Sequence, residues 1–255
     1  MQTFELLDRL ELISPNNTFF TDLRKTILNN DQFALFRLLQ QQTSSQLVEG
    51  LRKYKDNTEF NADCFSRGQL QSKLWLAAKL KKCNIDLGTV FLCAGWYATL
   101  ATMLFESKIK VDKIRSFDID PTCVNIAEVF NAPWFKNEWQ FKSITQDIMD
   151  INYKEHTWQH WSNANNRMSY PITDVPDTII NTSCEHISNF TEWYNKIPNG
   201  KLVVLQSNNY FEVDEHVNCS VDLEDFSRQI PMSSTLYEGE LQLEKYTRFM
   251  KIGYK

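Results

Sequence analysis

The 255-residue sequence is poor in the two residues that break regular structure, with 7 glycines and 7 prolines. That scarcity excludes a collagen-like repeat and a Gly/Pro-rich disordered chain. No stretch reaches the roughly 18 consecutive apolar residues of a membrane-spanning helix. Basic charge is short too: 27 Lys and Arg stand against 32 Asp and Glu, a net charge of -5. Broad affinity for nucleic acid leaves a basic footprint, which the chain as a whole lacks. The six cysteines (Cys64, Cys83, Cys93, Cys123, Cys184, Cys219) never fall into CxxC spacing. This argues for reduced thiols rather than a disulfide frame or a cysteine zinc site. The first residues, "MQTFELLDRLELI", are acidic and amphipathic and lack the basic start of a signal peptide, so a cytoplasmic location is expected.

What is present is a core-forming chain, 42% apolar and 13% aromatic. Residues 1–65 read as helices. "FELLDRLELI", "TDLRKTILNND", "DQFALFRLLQQQ" and "SSQLVEGLRKY" carry apolar residues at helical spacing, and Asp31 is placed to cap the third. They form an expected N-terminal helical cap. A helix over 68–82 leads into an alternation of strand and helix: strand 88–93, helix 97–107, strand 114–119, helix 121–130 and strand 139–144. After a polar insertion come a strand in "DTIINTS", a helix in "ISNFTEWYNKI", a strand over 200–208 and a helix in "VDLEDFSRQI". The tail holds two strands in succession, "SSTLYEGELQLE" and "KYTRFMKIGYK". Alternation predicts an α/β fold, a doubly wound, mostly parallel seven-stranded sheet, and the tail predicts an antiparallel C-terminal hairpin at its edge.

Ligands of such sheets sit outside the carboxyl ends of the strands. After the first strand comes Cys93-Ala94-Gly95-Trp96-Tyr97, where Gly95 permits close backbone approach. After the second comes Asp118-Ile119-Asp120-Pro121, with Asp118 at the roughly 20-residue spacing of a carboxylate that accepts ribose hydroxyls. Asp120 before Pro121 reads instead as a helix cap. After the third, "TQDI" places Asp147 and Ile148.

This arrangement resembles the class I (Rossmann-like) S-adenosylmethionine (SAM)-dependent methyltransferases over residues 66–255. The resemblance implies a SAM-binding catalytic domain there. It implies that Ala94, Gly95 and Tyr97 meet the methionine part, that Asp118 and Ile119 meet the ribose, and that Asp147 and Ile148 meet the adenine. "CEHI" after the fourth strand resembles the Glu-His segment of small-molecule members, which implies Glu185 and His186 as catalytic residues. The chain departs from the family's acid-x-Gly-x-Gly-x-Gly loop: Cys93 stands for the acid and Gly95 is the one glycine left. Trp96 and Tyr97 fill the space, and a sulfonium cation is attracted to aromatic faces.

The implied activity is in-line methyl transfer from SAM to a small-molecule acceptor, a reaction that needs alignment, a dry pocket and no metal. Alternatives on the same fold are aminocarboxypropyl transfer, cyclisation or cleavage of SAM, and a scaffold without activity. An RNA acceptor is the weaker alternative, because "NTSC" stands where nucleic-acid amino-methylating members carry "NPPY". Arg67, Gln69 and Lys73 are further candidates for the methionine carboxylate. Asn181, Asn208, Asn209 and His216 lie near strand ends where an acceptor would be walled. His156 and His160 have the i, i+4 spacing that binds zinc on a helix, but no Cys or acid stands at telling spacing, so no metal site is expected there. Nothing in the sequence sets the oligomeric state.

Overall fold

The computed structural model describes residues 19–31, 34, 46–54, 60–136, 139–162 and 166–255. The chain divides into two compact units, Met1–Asp56 and Asn57–Lys255. In the first, α1 (Phe19–Leu28) and α2 (Gln46–Tyr54) are helical. Asp31 accepts the amide N–H of Ala34 through Oδ1 at 2.9 Å, as an N-cap does. The rest of the helix expected after it, and the one expected over 4–13, lie outside the described residues.

The second unit begins earlier than residue 66. A 3-10 turn at Ala62–Phe65 buries Cys64, and Ser66 caps the next helix by accepting the amide N–H of Gln69. That helix is α3 (Arg67–Cys83). The strand–helix alternation then follows: β1 (Thr89–Cys93), α4 (Thr99–Glu106), β2 (Lys113–Asp118), α5 (Cys123–Phe130), α6 (Ala132–Lys136) and β3 (Phe141–Thr145). The region read as a polar insertion has order of its own, in β4 (His156–Trp158), β5 (Trp161–Ser162), β6 (Arg167–Met168) and β7 (Ile172–Asp174). Strands β4 and β7 pair antiparallel, as do β5 and β6. His156 thus lies on a strand and not on a zinc-binding helix. Its Nδ1 accepts the amide N–H of Asn152, which removes the metal geometry the spacing suggested.

The chain closes with β8 (Thr178–Asn181), α7 (Phe190–Lys196), β9 (Leu202–Asn208), α8 (Leu223–Gln229), β10 (Ser234–Gln242) and β11 (Thr247–Tyr254). The seven-stranded sheet runs β10-β11-β9-β8-β1-β2-β3. Six strands run in one direction, and β11 alone is reversed, antiparallel to both β9 and β10, which gives the expected hairpin.

Both faces of the sheet are covered, so its inner strands are apolar throughout rather than alternating. All residues of β1 and β9 are buried. Alternate residues serve opposite cores. Val90 and Leu92 join Leu76, Leu80 and Leu104 on one face, while Phe91 and Cys93 join Phe117, Trp193 and Phe249 on the other. Each large apolar side chain so buried contributes roughly 1.5–3 kcal/mol before entropy is counted. This two-sided packing fixes where the strands end, and the polar loops at their carboxyl ends are thereby held in one row.

Candidate functional site

The loop after β1 is tied down strand by strand. The Gly95 N–H donates to the Phe117 carbonyl at 3.0 Å, and the Ala98 N–H donates back to Gly95 at 2.8 Å. A Cβ on Gly95 would run into Ser116 Oγ, so this glycine is required by space. Its neighbours Ala94, Trp96 and Ala98 hold φ of 51°, 50° and 49°, the left-handed region. Each such non-glycine residue costs on the order of 1–2 kcal/mol. The strain is held in place by Asp118, whose Oδ2 accepts the Trp96 N–H at 2.7 Å while Oδ1 accepts the Asp120 N–H at 3.1 Å. Asp118 thus clamps the first loop to the second. Burial raises its pKa, and these amide donors oppose the rise.

Cys93, where an acid was looked for, is fully buried, and burial pushes its thiol up to about 12. Its sulfur lies 3.5 Å from the Tyr153 hydroxyl, which accepts the Trp193 indole N–H at 2.6 Å and donates to the Ile148 carbonyl at 2.9 Å. A carboxylate would be desolvated there without a cation to pair with.

Beside the loop lies a cavity of about 300 Å³, walled by Ala94, Asp118, Ile119, Asp147, Ile148 and His186, together with Met149 and Ile187–Asn189. It spans the carboxyl ends of β1, β2, β3 and β8. The first six wall residues are sequence candidates. Ile119 is 70% exposed, an apolar side chain left facing open space at the cavity's edge. Asp147 spends Oδ1 on the Met149 N–H at 2.8 Å, capping the turn that presents Ile148.

Other candidates stand elsewhere. Gly95 is not in the cavity wall. Tyr97 is 4% exposed and stacks between Trp96 and Phe60, with ring centroids 4.9 and 5.4 Å away, and its hydroxyl accepts the Asn61 N–H. It anchors the start of the second unit instead of facing the cavity. Asp120 caps as expected, accepting the Thr122 N–H at 2.9 Å. Arg67 is exposed, while Lys73 is buried and donates to Gln69 Oε1 at 3.0 Å. Asn181 accepts the Ser183 N–H, and its Nδ2 is buried without a partner. Asn209 accepts the Thr247 N–H, tying the loop after β9 to β11.

Glu185 and His186 are adjacent in sequence and face different surroundings. Glu185 is 3% exposed and outside the cavity wall. Its Oε1 accepts Arg248 at 2.6 Å and Asn208 Nδ2 at 2.7 Å. Arg248, itself 4% exposed on β11, also donates to Ser72 Oγ and the Thr182 carbonyl. His186 is exposed, reaches the cavity, and turns Nδ1 to the Glu215 carbonyl at 3.1 Å. A carbonyl only accepts, so Nδ1 carries the hydrogen, and in the neutral ring Nε2 keeps a lone pair. Its ring meets His216 edge to face, centroids 4.6 Å apart. Arg248 escaped the sequence reading, although a lone arginine inside the apolar run "RFMKIG" of a covered strand signals a buried acidic partner.

No protein-family model matches this sequence, and no curated protein does. Solved structures match its shape. The N-methyltransferase NodS from Bradyrhizobium japonicum WM9, in complex with S-adenosyl-L-homocysteine, aligns with TM-score 0.54 and 8% identity over 82% of this chain and 98% of that one. Magnesium protoporphyrin IX methyltransferase (ChlM) from Synechocystis PCC 6803, with bound SAM, aligns with TM-score 0.52 and 12% identity over 86% of this chain and 96% of that one. The YcgJ protein from Bacillus subtilis aligns with TM-score 0.51 and 10% identity over 73% and 98%. At these identities the likeness is one of fold: the second unit has the class I methyltransferase fold.

Proposed function

We propose that this chain is a SAM-dependent methyltransferase acting on a small molecule. The observation that carries the reading is the cavity, in which the residues after β1, β2, β3 and β8 meet in one wall on a fold that holds SAM or its product in two of the matched structures. Asp118 is the ribose acceptor: each oxygen has one amide donor and a second lone pair for a hydroxyl. Ile119 and Ile148 supply apolar faces for the adenine, and Asp147 an acceptor for its amine. Ala94 lies where the methionine part passes. His186 stands at the acceptor end with a free Nε2 lone pair, and Glu185, gripped by Arg248, is the positioning residue behind it.

Methyl transfer is a displacement at a sulfonium, so the protein's task is alignment and exclusion of water. The cavity's size and the acidic charge of the chain favour a small acceptor over a polyanion. No helix among the described residues is long and apolar enough to cross a membrane.

Calorimetry with SAM tests the cofactor. Asp118→Ala should weaken binding by about 2–3 kcal/mol, the loss of charge-assisted hydrogen bonds. Wild-type affinity in a folded Asp118→Ala protein removes Asp118 from the site. Incubation with SAM and small-molecule extract tests the chemistry: S-adenosylhomocysteine as product supports methyl transfer, and methylthioadenosine overturns it in favour of aminocarboxypropyl transfer, cyclisation or cleavage.

A further inference from the structure

Glu185, His186 and His216 bring one ligand-capable atom each to within 4.8 Å of one another, the one such trio of His, Cys, Asp or Glu among the described residues. We infer that they form a binding site for a divalent transition-metal ion, held by one carboxylate oxygen and two imidazole nitrogens at the mouth of the cavity.

Three features make this more than proximity. The first is the carboxylate. Glu185 Oε1 takes both available donors, Arg248 and Asn208, and Oε2 is buried with no partner. A buried carboxylate oxygen without a donor calls for an explanation, and a cation supplies one. The second is the orientation of the imidazoles. His186 donates Nδ1–H to the Glu215 carbonyl, and His216 donates Nδ1–H to the Tyr210 carbonyl at 2.7 Å. Backbone carbonyls thus set both rings in the tautomer whose Nε2 is unprotonated, the outer-shell arrangement that metal-binding histidines use. The third is support. Arg248 and Asn208 hold the carboxylate from behind, while the Asn218 N–H donates to the Glu185 carbonyl and pins the loop that carries His216.

The donor set selects the ion. Two imidazoles and one carboxylate suit Zn²⁺, Co²⁺, Fe²⁺ or Mn²⁺ and leave positions open. Ca²⁺ and Mg²⁺ prefer oxygen ligands alone. Because His186 belongs to both the trio and the cavity wall, an open position would face the acceptor. The ion site stands on its own geometry; where it coexists with methyl transfer, His186 holds the ion and not a proton, and the ion orients an acceptor oxygen.

The test is a Co²⁺ titration of the full chain after chelator treatment, followed by visible absorption. One Co²⁺ per chain should give the d–d bands of a nitrogen- and oxygen-ligated ion, and Zn²⁺, which takes the same imidazole and carboxylate ligands, should compete for the site. His216→Ala and Glu185→Gln should each weaken Co²⁺ binding 100-fold or more, with circular dichroism confirming the fold. His160→Ala, outside the trio, should bind as wild type. No bands up to millimolar Co²⁺, or bands that survive His216→Ala in a folded protein, would overturn the site. SAM calorimetry on the same proteins separates the two readings. His216→Ala should keep SAM affinity, and a wild type that binds Co²⁺ but not SAM leaves the ion site standing while the methyltransferase reading falls.

Discussion

Two carboxylates among the described residues, Asp174 and Glu185, are buried against a guanidinium, and they are finished differently. Asp174, on β7, accepts Lys113 Nζ at 2.9 Å through Oδ1, and Arg115 Nε at 2.7 Å and Trp158 Nε1 at 2.9 Å through Oδ2. Both of its oxygens face donors. Glu185 faces donors with Oε1 alone. A buried charge is tolerated when it is paired and hydrogen-bonded, so the Asp174 cluster needs nothing further and reads as structure. An oxygen left bare in the low dielectric of the interior is a cost the fold carries, and the two histidines beside it indicate what completes it. Completeness of the hydrogen bonding, more than burial or charge, separates Asp174 from Glu185.

The sharpest way to break this contrast is Asp174→Asn. An amide NH₂ there meets a donor whichever way it turns, and Arg115 is left uncompensated. The loss should be about 3–5 kcal/mol, a fall in melting temperature of roughly 10 °C. The same variant should alter the acid limb of stability. Burial raises the Asp174 pKa, but the hydrogen bonds from Arg115 and Lys113 outweigh it and hold the carboxyl below its ordinary value. Its stabilisation is therefore full above the unfolded value near about 4, and is lost as pH falls through the lower folded value. Urea midpoints of wild type and variant should converge on acidification through that window; parallel curves would sink the assignment.

Glu185→Gln leaves Arg248 without its counter-charge too, but should cost less than Asp174→Asn. Its carbonyl can keep Arg248 and Asn208, and its NH₂ falls where no donor opposes it. If the melts show the two amide variants to be equally destabilised, the distinction drawn between the carboxylates fails.

The smallest effect is expected at Lys73, a charge buried beside the second cluster. Burial pushes its amine down to about 8, with Arg248 adding to the fall against the opposing pull of Cys64. Between that value and the unfolded value near about 10.4, the unfolded chain holds a proton that the folded chain has released. Stability should rise with pH across this window relative to Lys73→Met, because the cost of the buried charge is full at neutrality and is relieved as the amine deprotonates. A difference that stays flat from pH 7.5 to 10 would show that Lys73 reaches solvent.

The sequence was most readable where short-range pattern and strand order sufficed. Asp118 and Asp147 were legible because a parallel sheet packed on both faces has its carboxyl ends in a row, and the polar residue after each apolar run must lie there. Tyr97 was misplaced because the same sequence evidence suits a ring facing a ligand and a ring under a preceding segment. Phe60 and Asn61 decide between them, and nothing local announces that they return to the loop. The polar insertion announces no strands in the sequence because those it holds, β4 to β7, are two or three residues long, too short to show a period.

Order along the chain, apolar period and turn chemistry thus determined the seven-stranded sheet, its hairpin edge and the row of loops that carries the cavity. Tertiary structure alone decided that Arg248 on the last strand grips Glu185, 63 residues earlier, by one oxygen, and that His216 swings against His186. The physical reason is range. A strand's apolar pattern follows from neighbours two residues apart, whereas a buried ion pair is chosen by whatever side chain the finished packing brings within hydrogen-bond distance.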